Sequence, residues 1–386
     1  MIVLGHYANS IPELFSVVDW WYRFTPLRLV SASRFATITF FTLTSYLLCY
    51  NVLGERKIDY ARYLSGRFVR IYLPFAVSVL AAWIACNAFG TAPIAGASDN
   101  VNTDWQGSED LDDLFRHLAL IGRREDTNLV GVAWSLVFQF RIWLFFPLIA
   151  LWVSRSQVVA CLGLAVALAS VGLAAWIGQS GYYYGQTIGL SLLITPYFLL
   201  PTLSGIVGFV HRRRFRAMSS PLIPSFVALF AALLTPRIGS FVAKDVIYCV
   251  TAALIICLFD NARAFGVNRI SRSLEFLGTI SFPLYLYHVT VLIISFRLGG
   301  SAVSLQWLLA PSFIVSILIA HFAHRYIDGP LSKWWTSITR GRGEPRTAET
   351  PRLGTSRSEA ARSARSSGED VEDGRIDRLP APDRAW

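Results

Sequence analysis

The chain has 386 residues, of which 54% are hydrophobic and only 16% charged, with a mean hydropathy of +0.46. A soluble domain carries about a quarter charged residues, so an ordinary soluble enzyme is excluded. The expected fold is all-α: a polytopic membrane protein of about ten transmembrane helices. No nucleic-acid partner is expected, and no basic leader with a small-residue exit marks a cleavable signal. Cys49, Cys86, Cys161, Cys249 and Cys257 all fall in apolar stretches without ligand spacing, which predicts neither a disulfide framework nor a metal site.

The chain opens on Met1-Ile-Val-Leu-Gly-His6-Tyr-Ala-Asn-Ser10, two turns of apolar helix carrying a histidine. A membrane helix needs about twenty residues, so this stretch reads as the outer half of a truncated first span, with His6 poorly held. Ser10–Ser33 follows as an aromatic-rich interfacial loop, then a second span over about Arg34–Leu53. A basic connector (Arg56, Lys57, Arg62, Arg67, Arg70) leads into a third span, Ile71–Phe89. Gly90–Val130 is the longest loop and is acidic in its middle, with Asp99, Asp104, Glu109, Asp110, Asp112 and Asp113.

The fourth to sixth spans are Gly131–Val153, Val158–Ile177 and Ile188–Val210. Two shorter ones follow at Pro221–Leu234 and Val246–Phe259, then Leu274–Phe296 and Ser304–Ala323. From Ser337 onward Ser, Arg, Glu, Gly and Pro dominate, so residues 337–386 read as a disordered cytoplasmic tail beside a 1–336 membrane domain. Alternate connectors from the second span to Trp335 hold fifteen Lys/Arg against nine on the opposite side. By the positive-inside rule the basic connectors and the tail are cytoplasmic and the acidic loop is outside.

That orientation brings several polar groups to one depth. His6, then Trp134, Ser135 and Gln139 near the start of the fourth span, and His288 in the ninth all fall in the outer half of the membrane. Scattered polar residues also glue helices together, so a site and helix-packing glue both stay open. Ser281, Tyr285 and His288, spaced i, i+4, i+7, share one helix face and suit sugar binding or proton movement. Arg141 cannot shed its charge and requires an anionic partner, a wet cavity or an interface. Arg67 and Arg70, spaced i, i+3, suit a phosphate-bearing ligand or simply set topology. His321, His324 and Asp328 have metal-compatible spacing but sit where the last span leaves the membrane, as interfacial polar residues do.

These pieces occur together in a known order. Leu4-Gly5-His6, Phe40–Leu47, Arg67–Pro74, Trp134-Ser135-Leu136 with Phe146-Pro147, Leu277–His288 and Asp328-Gly329-Pro330 resemble the type 3 acyltransferases, bacterial inner-membrane O-acyltransferases of surface and secreted glycans. The resemblance implies a cytoplasmic acyl-CoA donor, usually acetyl-CoA, with no bound cofactor, and a glycan or lipid-linked glycan hydroxyl acceptor on the outer side. It implies His6 as base with His288 as second catalytic histidine, and Trp134, Ser135, Gln139, Ser281 and Tyr285 lining the substrate pocket. It places Arg67 and Arg70 at the CoA phosphates. Many members carry glutamate where this chain has Gln139. The competing expectations are a glycan or lipid-linked sugar transporter or flippase, and a catalytically impaired family member.

Overall fold

The computed structural model describes residues 1–12, 32–54, 59–107, 110–120, 122, 128–176, 187–216, 240–261 and 269–340, plus 226, 229 and 230. The chain divides into a unit over Met1–Thr336 and a second over Ser337–Trp386, which is described only as far as Arg340. The proposed tail beyond it and most of the Pro221–Leu234 span lie outside the described residues.

Every described element is helical: α1 (Ile2–Ala8), α2 (Ser33–Val52), α3 (Tyr60–Arg67), α4 (Leu73–Phe89), α5 (Asp99–Thr103), α6 (Leu111–Ala119) and α7 (Trp134–Arg155). They continue as α8 (Gln157–Trp176), α9 (Ile188–Ile194), α10 (Leu199–Arg216), α11 (Phe241–Asn261), α12 (Arg269–Gly299), α13 (Leu305–Ala323) and α14 (Gly329–Arg340). Among the described residues, eight helical segments are long and apolar enough to cross a membrane. Together with the short α1, they carry nine of the ten expected spans. An all-α polytopic architecture follows.

The boundaries differ from expectation where helices continue through irregular turns. A π-turn over Phe68–Tyr72 joins α3 to α4, so the third helix starts at Tyr60, inside what reads as connector. Asp59 caps that start, its carboxylate accepting from the Arg62 N–H. A 3-10 turn over Thr195–Phe198 breaks the sixth span between α9 and α10. There the Ser191 carbonyl (3.0 Å), Ser191 Oγ (2.9 Å) and Thr195 Oγ1 (2.8 Å) all accept from Arg141 Nη1. The break thus gives a half-buried guanidinium the oxygens it needs.

Three apolar clusters hold the helices. One gathers Val3, Tyr7, Phe75, Val79, Leu136, Leu286 and Phe296 around α1, α4, α7 and α12. The other two join α2 to α7, α10 and α11, one near the Arg34 end of α2 and one near its Val52 end. The described residues of the acidic 90–130 segment are themselves folded: Val101, Trp105, Leu114, Leu129 and Val130 enter the first cluster. They form a cap over that end of the bundle. Acidity marked their solvent face, and their few apolar side chains do the packing.

The short α1 is not loose. Tyr7 stacks edge-on against Phe313 at 5.6 Å, and its hydroxyl is 3.0 Å from Ser316 Oγ on α13. Ser10 Oγ donates to the Tyr7 carbonyl, and the Ser98 N–H of the cap donates to the Ser10 carbonyl at 2.8 Å. These contacts fix the turn that carries His6, against the expectation of a poorly held residue.

Helices α2 and α10 cross at backbone contact. A Cβ on Gly205 would fall on the Thr42 carbonyl oxygen and within 2.9 Å of Ser45 Cβ. Beside it Thr42 Oγ1 and Ser204 Oγ are 3.1 Å apart. Small residues at such a seam let backbones touch. Gly205→Val is therefore expected to push α2 off α10 and cost about 1–3 kcal/mol, as overpacking does. Thermal unfolding of the detergent-purified chain measures it; an unchanged midpoint would show that the seam yields.

Candidate active site

At the capped end of the bundle lies a recess of about 310 Å³, within the size range of small-ligand sites. It is built from the end of α1, the start of α2, the start of α7, one face of α12 and the cap. His6 and Asn9 come from α1, Arg34 and Thr37 from α2, Trp134 from α7 and Tyr285 from α12. Asn100, Asp104 and Asn128 close it from the cap. Amides, hydroxyls and one indole line this wall beside the apolar Ile2, Val289 and Leu292.

Two histidines meet at the recess. The His6 and His288 rings are 5.2 Å apart, edge to face. His288 is fully buried. Its Nδ1 lies 2.9 Å from the Tyr285 carbonyl and 3.1 Å from the Leu284 carbonyl. Both are acceptors, so Nδ1 carries the proton and Nε2 keeps a bare lone pair. That Nε2 is buried and has no partner among the described residues. His6 lines the recess; His288 stands behind it as an unused acceptor.

Tyr285 and Ser135 form the adjoining wall. The Tyr285 hydroxyl donates to the Val132 carbonyl at 2.6 Å, and Ser135 Oγ lies 2.7 Å from the same phenol oxygen. The phenol has one proton and spends it on Val132, so the Ser135 hydroxyl must be the donor in the second bond. The pair locks the start of α7 against α12. Trp134 also faces the recess, in edge contact with Phe138 and tilted against Phe198.

Not every expected residue joins them. Ser281 is exposed, one turn from Tyr285 and away from the recess, and its hydroxyl donates to the Gly278 carbonyl. Gln139 is buried one turn along α7 from Ser135, with neither amide atom bonded among the described residues. A further turn on is Trp143, and the Arg67 guanidinium lies 5.9 Å over its ring and 5.8 Å over that of Tyr63. Ser135, Gln139 and Trp143 are spaced i, i+4, i+8, so one face of α7 leads about 12 Å from the recess to Arg67.

Arg67 and Arg70 stand in different surroundings. The π-turn from Phe68 changes the angle per residue, so Arg67 turns inward onto Trp143 while Arg70 is exposed. The i, i+3 reading assumed a regular α-helix there. His321 and His324 gather no third ligand, and no metal-binding cluster occurs among the described residues.

The residue that the sequence did not single out is Asp104. It lies in the cap just after α5, and its carboxyl lines the recess with His6. Protein crowds it on every side but the opening, which pushes its carboxyl well above the usual carboxylate range. The sequence shows it as one of six acids in a loop, without periodicity to mark it.

A family model described as an acyltransferase domain matches residues 1–325. The chain belongs to the type 3 acyltransferase family. Comparison with curated proteins and with solved structures finds no match. The match spans α1 through α13 and decides for an acyl-transferring enzyme over a transporter. This acyltransferase therefore carries its polar recess, its two facing histidines and its inward arginine on one family domain.

Proposed function

We propose that this acyltransferase moves an acyl group, most simply acetyl, from acyl-CoA to a hydroxyl of a glycan or lipid-linked glycan. The observation that carries the reading is His6 at the wall of a polar recess, with the His288 lone pair behind it. The recess suits a sugar: amide and hydroxyl side chains match hydroxyls, and Trp134 offers an apolar ring face. It lies at the end of the bundle opposite Arg155, Arg212 and Lys333, on the side the charge bias assigns to the exterior. The bilayer would be the bacterial inner membrane, with the tail cytoplasmic.

His6 removes the proton of the acceptor hydroxyl as its oxygen attacks the thioester carbonyl. The tetrahedral intermediate collapses, the C–S bond breaks, and the proton returns to the departing thiolate. His288 Nε2 faces the imidazolium formed in between and stabilises it without moving. The donor enters from the opposite face with a phosphate near Arg67. Its arm follows the Gln139 face of α7, where a ligand amide satisfies the unbonded carboxamide. Arg70, being exposed, meets phosphate only at the surface.

Membranes carrying the chain should transfer label from [14C]acetyl-CoA into glycan. Arg67→Ala should raise the KM for acetyl-CoA about tenfold, as loss of a charged hydrogen bond does, while leaving the acceptor KM unchanged. Label incorporation no higher than in membranes lacking the chain would overturn the reading.

A further inference from the structure

Asp104 has three features that a surface acid does not. It sits in the same recess as His6, and among the described residues nothing hydrogen-bonds to its carboxylate. It is pressed against Gly131: a Cβ there would fall on Asp104 Oδ1 and 2.8 Å from its Cγ. The next residue, Trp105, holds a left-handed φ of 71°, a conformation that is costly for a bulky side chain.

That backbone is over-determined. The Trp105 ring is fully buried, the residue's backbone N–H donates to the Asn128 carbonyl at 2.8 Å, and its backbone carbonyl accepts from Cys86 Sγ. The Arg297 guanidinium lies 5.7 Å over the ring. Three partners, Asn128 of the cap, Cys86 of α4 and Arg297 of α12, thus hold one strained turn, and the turn places a bare carboxyl at the recess. Structural acids are normally bonded when crowded by protein. The strain and the missing partner together mark a group kept for a ligand.

We propose that Asp104 orients the acceptor, its two oxygens accepting from neighbouring hydroxyls of a sugar ring while His6 takes the proton of the hydroxyl that is acylated. The inference rests on the acyltransferase reading and adds the specificity element: a ligand presenting a vicinal diol beside the reacting group. Two hydroxyl donors match the spacing of two carboxylate oxygens. They also replace the hydration that the protein strips from the carboxyl, so its desolvation cost is recovered only when a polyhydroxylated ligand is in place. The neighbouring Asn100 and Asn128 supply further amide contacts in the same wall.

The test compares wild type, Asp104→Asn and Gly131→Ala, each shown to be folded by size-exclusion chromatography in detergent. Asn keeps the shape and replaces one carboxyl oxygen with an amide nitrogen that cannot accept, whereas a Gly131 methyl leaves Asp104 intact and displaces its carboxyl. The probes are methyl β-D-glucopyranoside and methyl α-D-mannopyranoside, with [14C]acetyl-CoA as donor. Both variants should raise the acceptor KM about ten- to a hundredfold, the worth of hydrogen bonds to a charged group, with kcat within threefold and the donor KM unchanged. An unchanged acceptor KM in Asp104→Asn overturns the proposal, as does a fall in kcat alone. Saturation-transfer NMR of the same glycosides on the purified chain separates this from the acyltransferase reading itself. A wild-type signal lost in Asp104→Asn supports the proposal even if no acyl group moves. A signal retained in the variant, or absent from wild type, overturns it.

Discussion

His6→Ala is expected to lower acyl transfer about 10²–10⁴-fold, the usual contribution of a positioned general base, without loss of membrane insertion. The imidazole projects from a turn that Tyr7 and Ser10 pin from neighbouring positions, so deleting it leaves the anchors of α1 untouched. His6→Gln should not restore activity, because an amide nitrogen has no lone pair to take the proton. His288→Asn is informative beside it. Its side chain can still donate to the carbonyls at Leu284 and Tyr285 but presents no imidazole lone pair to His6, so transfer should fall by less than in His6→Ala. Initial rates with [14C]acetyl-CoA at saturating donor decide the order. Activity persisting in His6→Ala with loss in His288→Asn would exchange the roles of the two histidines.

The second large effect concerns Asp245. Its carboxylate accepts from Arg34 Nε at 2.5 Å and Arg34 Nη2 at 2.6 Å, and it also receives the Tyr197 hydroxyl. Asp245 is almost fully buried and a quarter of the Arg34 side chain is exposed. Asp245→Ala leaves a guanidinium and a phenol facing a cavity. The expected loss is about 3 kcal/mol, the low end for stripping one partner from a buried pair, since water still reaches Arg34. Arg34→Leu/Asp245→Leu should recover most of it, because two apolar groups need no partner. Chemical denaturation in detergent measures both. A single variant as stable as wild type would show the pair to be dispensable. Because Arg34 also lines the recess, the single variant should weaken transfer more than its stability alone accounts for.

The all-α membrane fold was legible from composition and from apolar runs of span length. The charge bias and the order of spans placed His6, Trp134, Ser135, Gln139 and His288 at one depth; His6 and Trp134 do share the recess, whereas Gln139 lies a turn further along α7. What periodicity cannot show is which group bonds which across helices. The Ser135–Tyr285–Val132 arrangement joins residues 150 positions apart, and only packing decides that Ser281 stays outside while Tyr285 turns in. Arg67 and Arg70 read as an i, i+3 pair on one helix face, and a 3.6-residue period does not reveal the π-turn that leaves Arg67 against Trp143 and Arg70 exposed. Asp104 was hidden for another reason. A loop acid that matters differs from its neighbours only by backbone geometry and by the glycine it touches, and Gly131 lies 27 positions away.

The contact of α2 with α10 bears on how far the bundle can flex. Gly205 and Thr42 meet backbone to backbone with no side chain between them to act as a bearing. On the other flank, α1 is stitched to α13 and to the cap. Such joints resist the rocking of one half-bundle against another that carriers use to expose a site alternately. On the reading proposed above, the bundle would serve as a stationary frame, and the only moving part would be a flexible acyl-bearing arm reaching in along it.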